Sequence, residues 1–108
     1  YGARFLDRIF TEREQNYCLK HKQKETHLAG RFAAKEAISK ALGTGITEIV
    51  GWKDIEIINN TQGKPEVILS NAILANHFNQ QGHLYIQLSI SHTHTHALAF
   101  AIIEKMES

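Results

Sequence analysis

The sequence predicts an α+β fold, a compact single domain in which antiparallel hairpins pack on helices. Three observations carry that expectation. Apolar residues recur at helical spacing up to about residue 42, they recur at every second position in two later stretches, and turn-forming clusters separate the strand-like segments. With 108 residues and 43% hydrophobic content, the chain supplies one modest core and is too short for two.

The first helix spans about Ala3 to Phe10 and puts Phe5, Leu6, Ile9 and Phe10 on one side, with Arg4 and Arg8 one turn apart beside them. Thr11 caps a second helix, and Glu14 three residues later completes a capping box, so this helix starts at Glu12 and runs toward His21. A polar connector, Lys22 to Thr26, leads to a long helix from about His27 to Leu42. Ala34, Ala37, Ile38, Ala41 and Leu42 form its buried stripe, where the alanines admit close approach by another element. Gly43 stops the helix through a left-handed cap. From Trp52 to Ile58, Ile55 and Ile57 alternate with Asp54 and Glu56 in a strand with one buried face. The cluster Asn59 to Gly63 turns the chain, and Lys64 to Leu69 closes a hairpin. Ser70 caps a helix to about Gln81, with Ile73, Leu74 and Phe78 inward and Gly82 at its end. Leu84, Ile86, Leu88 and Ile90 alternate strictly with Tyr85, Gln87, Ser89 and Ser91. After a His/Thr turn, Ala97 to Ile103 forms the last strand, whose alanines leave room for a helix.

Chemistry concentrates in Arg31 to Gly45, RFAAKEAISKALGTG. Glu36 and Lys40 lie four residues apart, opposite the apolar stripe and near Phe32, so their charged tips can meet a shared ligand. Gly45 leaves the backbone open to close approach. A carboxylate, an ammonium and a glycine-punctuated loop together suit phosphate chemistry, whereas the pair taken alone is a solvated intrahelical ion pair. Phe32 on the same side would be wet in a lone chain, which points to a neighbouring subunit or a bound cofactor covering it.

This run resembles the signature of holo-acyl-carrier-protein synthases, the short members of the 4′-phosphopantetheinyl transferase superfamily. Trp52 to Ile57 (WKDIEI), the turn Gly63-Lys64-Pro65, the run Ser89-Ile90-Ser91-His92 and the alanine-alternating strand from Ala97 follow in that family's order and spacing. Arg4-Phe5, Arg8-Ile9 and Thr11 to Glu14 resemble its first helix and the start of its second, so the similarity covers nearly the whole chain. The resemblance implies a 4′-phosphopantetheinyl transferase-like fold and a homotrimer with active sites between subunits. It implies transfer of the 4′-phosphopantetheine arm of coenzyme A to a serine of apo-acyl carrier protein, releasing adenosine 3′,5′-bisphosphate. It further implies Mg²⁺, with Glu36 as one ligand and Lys40 on a phosphate. Gly43, Thr44 and Gly45 are implied near adenosine, and Gly63, Lys64, Pro65 and His92 near the 3′-phosphate; Arg31 either reaches a phosphate or pairs with a nearby acid. Arg4 and Arg8 are expected to face the carrier protein. The family pattern opens with a strand carrying a Gly-x-Asp whose aspartate helps hold the metal, and Tyr1 falls inside the helix that follows it. We expect a leading strand and part of a helix ahead of Tyr1 in the full protein. Without that aspartate the alternative is a module that binds coenzyme A and carrier but does no chemistry.

Other classes fit less well. A formal net charge of +1, from 12 basic and 11 acidic side chains, argues against a polyanion-coating protein, and no strand interleaves aromatic with basic residues as RNA binders do. Residues 1–31 carry a local +3 and the remainder −2, which suits docking of the amino-terminal helices to an acidic protein. The single Cys18 excludes a disulfide framework, sits where a helix places a small buried group, and fits a reducing cytoplasm. No apolar run reaches membrane-spanning length. His92, His94 and His96 alternate as metal ligands on a strand would, but no Cys or carboxylate completes a set nearby, and exposed turn histidines are the expectation.

Overall fold

The structure is a computed structural model and describes residues 3–43, 45–46, 51–77, 83–92 and 97–106. Helices α1 (Ala3–Ile9), α2 (Glu12–Leu19) and α3 (Lys24–Ala41) come first. A 3₁₀ turn (Trp52–Asp54), strands β1 (Ile55–Asn59) and β2 (Pro65–Leu69), helix α4 (Asn71–His77), and strands β3 (His83–His92) and β4 (Ala97–Met106) follow. The strands form two antiparallel hairpins, β1 with β2 and β3 with β4. Order and class agree with the sequence; several boundaries move, each for a local reason.

Thr11 caps α2 through the expected box. Its hydroxyl accepts from Glu14 N at 3.2 Å, while the Glu14 carboxylate accepts from Thr11 N at 2.9 Å. The helix stops at Leu19 rather than near His21, and α3 begins at Lys24, absorbing most of the polar connector, because good helix formers there meet no breaker. Trp52 to Asp54 are not strand. Gly51 N donates to Asp54 Oδ2 at 2.8 Å and Asp54 N to Gly51 O at 3.1 Å, which winds these residues into a turn before β1. Ser70 caps α4 by accepting from Ile73 N at 3.3 Å. Phe78 and Gly82, expected in and after that helix, lie outside the described residues.

Helix α3 lies across β3, β4 and β1 and shares one core with them. Ala34, Ile38, Ile55, Ile57 and Ile73 are fully buried there, and Leu42, Leu88, Ile90, Ala99 and Ala101 pack around them. The register sets Leu88 opposite Ala101 and Ile90 opposite Ala99, so at these two positions a large residue faces a small one and the sheet leaves depth for the helix. The helix approaches the sheet closely at Gly30, where a Cβ would stand 3.1 Å from Ile90 Cγ2. A second cluster joins Ile9, Phe10, Cys18 and Leu28, with Tyr17, Phe32 and Trp52 at its edge.

Two sequence expectations fail in detail and a third is modified. Ala41 is exposed, although it was placed on the buried stripe of α3, while Arg31 and Lys35 are buried instead. The stripe turns toward α2 at its start, where charged groups find partners. Phe5 is exposed although it shares the apolar side of α1. Phe32, expected to be wet in a lone chain, is half-buried because it stacks on Trp52, with ring centroids 4.8 Å apart and planes at 23°; the rest of its ring lines a cleft.

Candidate active site

Glu36, on the middle of α3, lines a cleft of about 320 Å³ between α1 and α3. Phe5, Leu6, Phe10, Leu28 and Phe32 form apolar walls, and Glu25 adds a second carboxylate. Glu36 is half-buried and Lys40, one turn on, is exposed; among the described residues they form no ion pair, so the bland alternative for this pair is not what the structure holds. No three His, Cys, Asp or Glu side chains converge among the described residues to cage an ion. One or two carboxylates suit a hard cation that keeps its waters and shares substrate phosphates, which is how Mg²⁺ is ordinarily held.

The end of α3 is a backbone device. Gly43, at φ 86°, donates to Lys40 O at 2.9 Å, and Gly45, at φ 66°, donates to Ser39 O at 3.0 Å, so both glycines take left-handed conformations to satisfy the last carbonyls. Nothing lies within 4 Å of a Cβ built at either, so the loop presents bare backbone. Thr44 lies outside the described residues.

A second cavity, about 250 Å³, gathers Tyr17, His27, Arg31, Asn59, Gly63, Pro65 and Ile90. The β1–β2 turn is built by Asn60, whose Oδ1 accepts from Gln62 N at 2.9 Å and Lys64 N at 3.0 Å, with Gly63 at φ 82°. Asn59 ties that turn to α3. Its Nδ2 donates to Gly63 O at 2.9 Å, and its Oδ1 accepts from Arg31 Nη2. Arg31 is 4% exposed, stands 4.5 Å over the Tyr17 ring, and among the described residues its Nε has no hydrogen-bond partner. Of the two roles open to Arg31, pairing with an acid is not observed among the described residues. Lys64 is exposed at the turn; His92 closes β3 opposite Ala97. Arg4 and Arg8 are exposed on α1. Thus Arg31, Gly63 and Pro65 come together, Glu36 stands in a different cleft, and His94 and His96 lie outside the described residues.

Sequence reasoning missed the most buried polar pair among the described residues. Lys35 Nζ meets Glu14 Oε1 at 2.8 Å, with both side chains at 0% exposure, and donates to Trp52 O at 2.9 Å and to Ile55 O. Glu14 Oε2 accepts from Ile57 N at 2.8 Å. Every donor of the ammonium is used, which is what makes such burial tolerable. Burial pushes Lys35 below its ordinary value of 10.5, and Glu14 opposes that by charge and hydrogen bond. The signal available in the sequence was Lys35 at i+7 from Leu28 and i−3 from Ile38, on the apolar face of α3. Beside this network Thr11 Oγ1 donates to Glu56 Oε2 at 2.6 Å, and Arg13 pairs with Glu56 at 3.2 Å.

Comparison with known proteins bears on this geometry. The profile of the 4′-phosphopantetheinyl transferase superfamily matches residues 1–101. A holo-[acyl-carrier-protein] synthase of Protochlamydia amoebophila is 52% identical over 102 residues, which is 94% of this chain and 80% of that protein. Among solved structures, the Neisseria meningitidis holo-[acyl-carrier-protein] synthase superposes with a TM-score of 0.85 at 36% identity, over 97% of this chain and 83% of that one. The Helicobacter pylori synthase in complex with coenzyme A superposes at 0.79 with 35% identity, over 94% and 82%. The α+β transferase fold implied by the sequence motifs is therefore borne out, and the chain belongs to the 4′-phosphopantetheinyl transferase superfamily.

Proposed function

We propose that this chain is a holo-[acyl-carrier-protein] synthase, transferring 4′-phosphopantetheine from coenzyme A to a serine of apo-acyl carrier protein. The observation that carries this reading is the 52% identity, over 94% of the chain, to a protein of that name. The solved relative with coenzyme A bound supports the donor, and the synthase names of the relatives favour an enzyme over an inactive binding module.

In this reaction the serine oxygen bonds to the pantetheine-side phosphorus as its proton is released, and the bridging P–O bond breaks to release adenosine 3′,5′-bisphosphate. Glu36 would hold Mg²⁺, whose chemistry when bound is to neutralise charge on the pyrophosphate oxygens. Lys40, exposed one turn from Glu36, stabilises the leaving phosphate. Arg31, Gly63, Lys64, Pro65 and His92 bind the 3′-phosphate; the clustering of Arg31, Gly63 and Pro65 at one cavity and the unpartnered Arg31 Nε support this part. Gly43, Thr44 and Gly45 bind adenosine, and the bare, left-handed backbone at Gly43 and Gly45 is in keeping with it. Arg4 and Arg8, exposed together on α1, dock an acidic carrier.

Residues 1–108 form one transferase domain, and three copies assemble with their sites in shared clefts. Exposed Phe5, Ile68 and Ile102, at 42%, 43% and 51%, support an assembly that covers apolar surface. A cytoplasmic location accords with one buried, unpaired cysteine. Among the described residues no helix is long and apolar enough to cross a membrane. The test is incubation of the complete protein with apo-acyl carrier protein, coenzyme A and Mg²⁺, following the carrier by intact mass. A phosphopantetheine-sized gain that chelator abolishes is the expected result; no gain overturns the reading.

A further inference from the structure

Lys35 directly precedes Glu36, yet its side chain is fully buried whereas Glu36 reaches the cleft. Successive residues of an α-helix stand about 100° apart around its axis, so anchoring one side chain sets the direction of the next. Lys35 is anchored from three sides: Glu14 of α2 at 2.8 Å, the Trp52 carbonyl at 2.9 Å and the Ile55 carbonyl. Trp52, held at its carbonyl, lays its indole on Phe32, and Phe32 lines the same cleft as Glu36. A buried ion pair is seldom more stabilising than apolar residues of equal volume, so stability alone gives little reason for one here. What this pair adds to the apolar packing of α3 is directional: three polar contacts that tie the helix to α2, to the Trp52 carbonyl and to β1.

We infer that Lys35, paired with Glu14, is a positioning residue for the transfer reaction, orienting Glu36 through the roll of α3 and the cleft wall through the Trp52–Phe32 stack. This inference rests on the synthase reading of the Glu36 cleft. Its action is indirect, since Lys35 lines neither cavity and every donor of its ammonium is occupied within the fold.

Two variants of the complete protein test it: Glu14→Gln/Lys35→Met, which removes both charges together, and Trp52→Leu, which leaves the pair in place. Trp52 is the chain's single tryptophan, so intrinsic emission reports its surroundings directly. With circular dichroism confirming the fold, kcat for carrier modification falls by about tenfold or more in each variant, while KM for coenzyme A stays within about twofold. Emission of the double variant shifts to the red. An Ile73→Val variant, altered in the core away from the cleft, keeps kcat whatever Tm it loses. Either variant, folded, with kcat near wild type overturns the inference, as does a kcat loss that Ile73→Val reproduces. If the double variant does not fold, the Trp52→Leu rate decides. A wild-type protein that transfers nothing overturns the synthase reading instead; the emission measurement needs no substrate, and an unshifted double variant overturns the positioning role on its own.

Discussion

Replacing Glu14 by alanine exposes how much of this fold hangs on one carboxylate. The side chain is at 0% exposure and serves three groups: the Thr11 amide at the start of α2, the Ile57 amide in β1, and the Lys35 ammonium. Losing a helix cap costs about 1 kcal/mol, a buried amide left unsatisfied about 1–3, and a buried charge stripped of its partner about 3–5. These terms overlap because the site relaxes as a unit, so a total of about 4 kcal/mol is expected, a large share of the roughly 5–15 kcal/mol that holds a domain together. With a urea m-value near 2 kcal/mol per molar, the midpoint drops by about 2 M. Glu14→Gln keeps oxygen acceptors for the amides and loses less. Adding Lys35→Met to Glu14→Gln costs less than adding it to wild type, because the ammonium has by then lost its counter-ion. The assay is equilibrium urea unfolding followed by Trp52 emission and circular dichroism. A Glu14→Ala protein within about 1 kcal/mol of wild type would refute the reasoning, and additive Gln and Met effects would refute the pairing.

Glu36→Ala is expected to lower carrier modification at least about a hundredfold while stability stays within about 0.5 kcal/mol, because the half-buried carboxylate faces the cleft and its backbone carbonyl keeps the Ser39 hydroxyl at 2.8 Å. Normal turnover in that variant removes the metal role. Arg4→Glu raises KM for the carrier by about fivefold and leaves KM for coenzyme A unchanged; an equal rise in both disposes of the docking assignment. Burial pushes the Cys18 thiol above its ordinary 9.0, with Glu14 adding to the rise and Arg31 opposing it. The unfolded thiol therefore ionises first, and stability that is fully present below pH 9.0 declines as pH climbs through the folded value. Urea midpoints of wild type should consequently fall more steeply above that pH than those of Cys18→Ala, a comparison in which the titration of Lys35 cancels. Parallel declines would show that the thiol is not linked to folding.

Local chemistry made much of this protein legible before any coordinates. The Thr11–Glu14 box, the alternation of Ile55 and Ile57 and the glycine stop at Gly43 each follow from interactions spanning a few residues and stand where the sequence puts them, while the turn opens at Asn60 rather than Asn59, which pairs with Pro65 at the end of β1. The alanines of the last strand announced helix contact, because small side chains leave a space that something must fill. Family motifs distributed along the chain identified the transferase fold for the same reason: order and spacing are properties of the chain itself.

Only the tertiary structure decided where charge goes. Periodicity counts a lysine as polar, so it could not show that Lys35 turns inward; that depends on Glu14, 21 residues away, and on two carbonyls beyond α3 that come within reach only after folding. The same holds for Arg31, which Asn59 and Tyr17 hold at 4% exposure, and for Phe32, whose ring is half-buried by its stack on Trp52. Glu36 was legible as a candidate ligand, but its separation from the Arg31 cavity was not. Long-range partners set the dielectric around a side chain and the direction it faces, and the sequence states only which side chains are there to be placed.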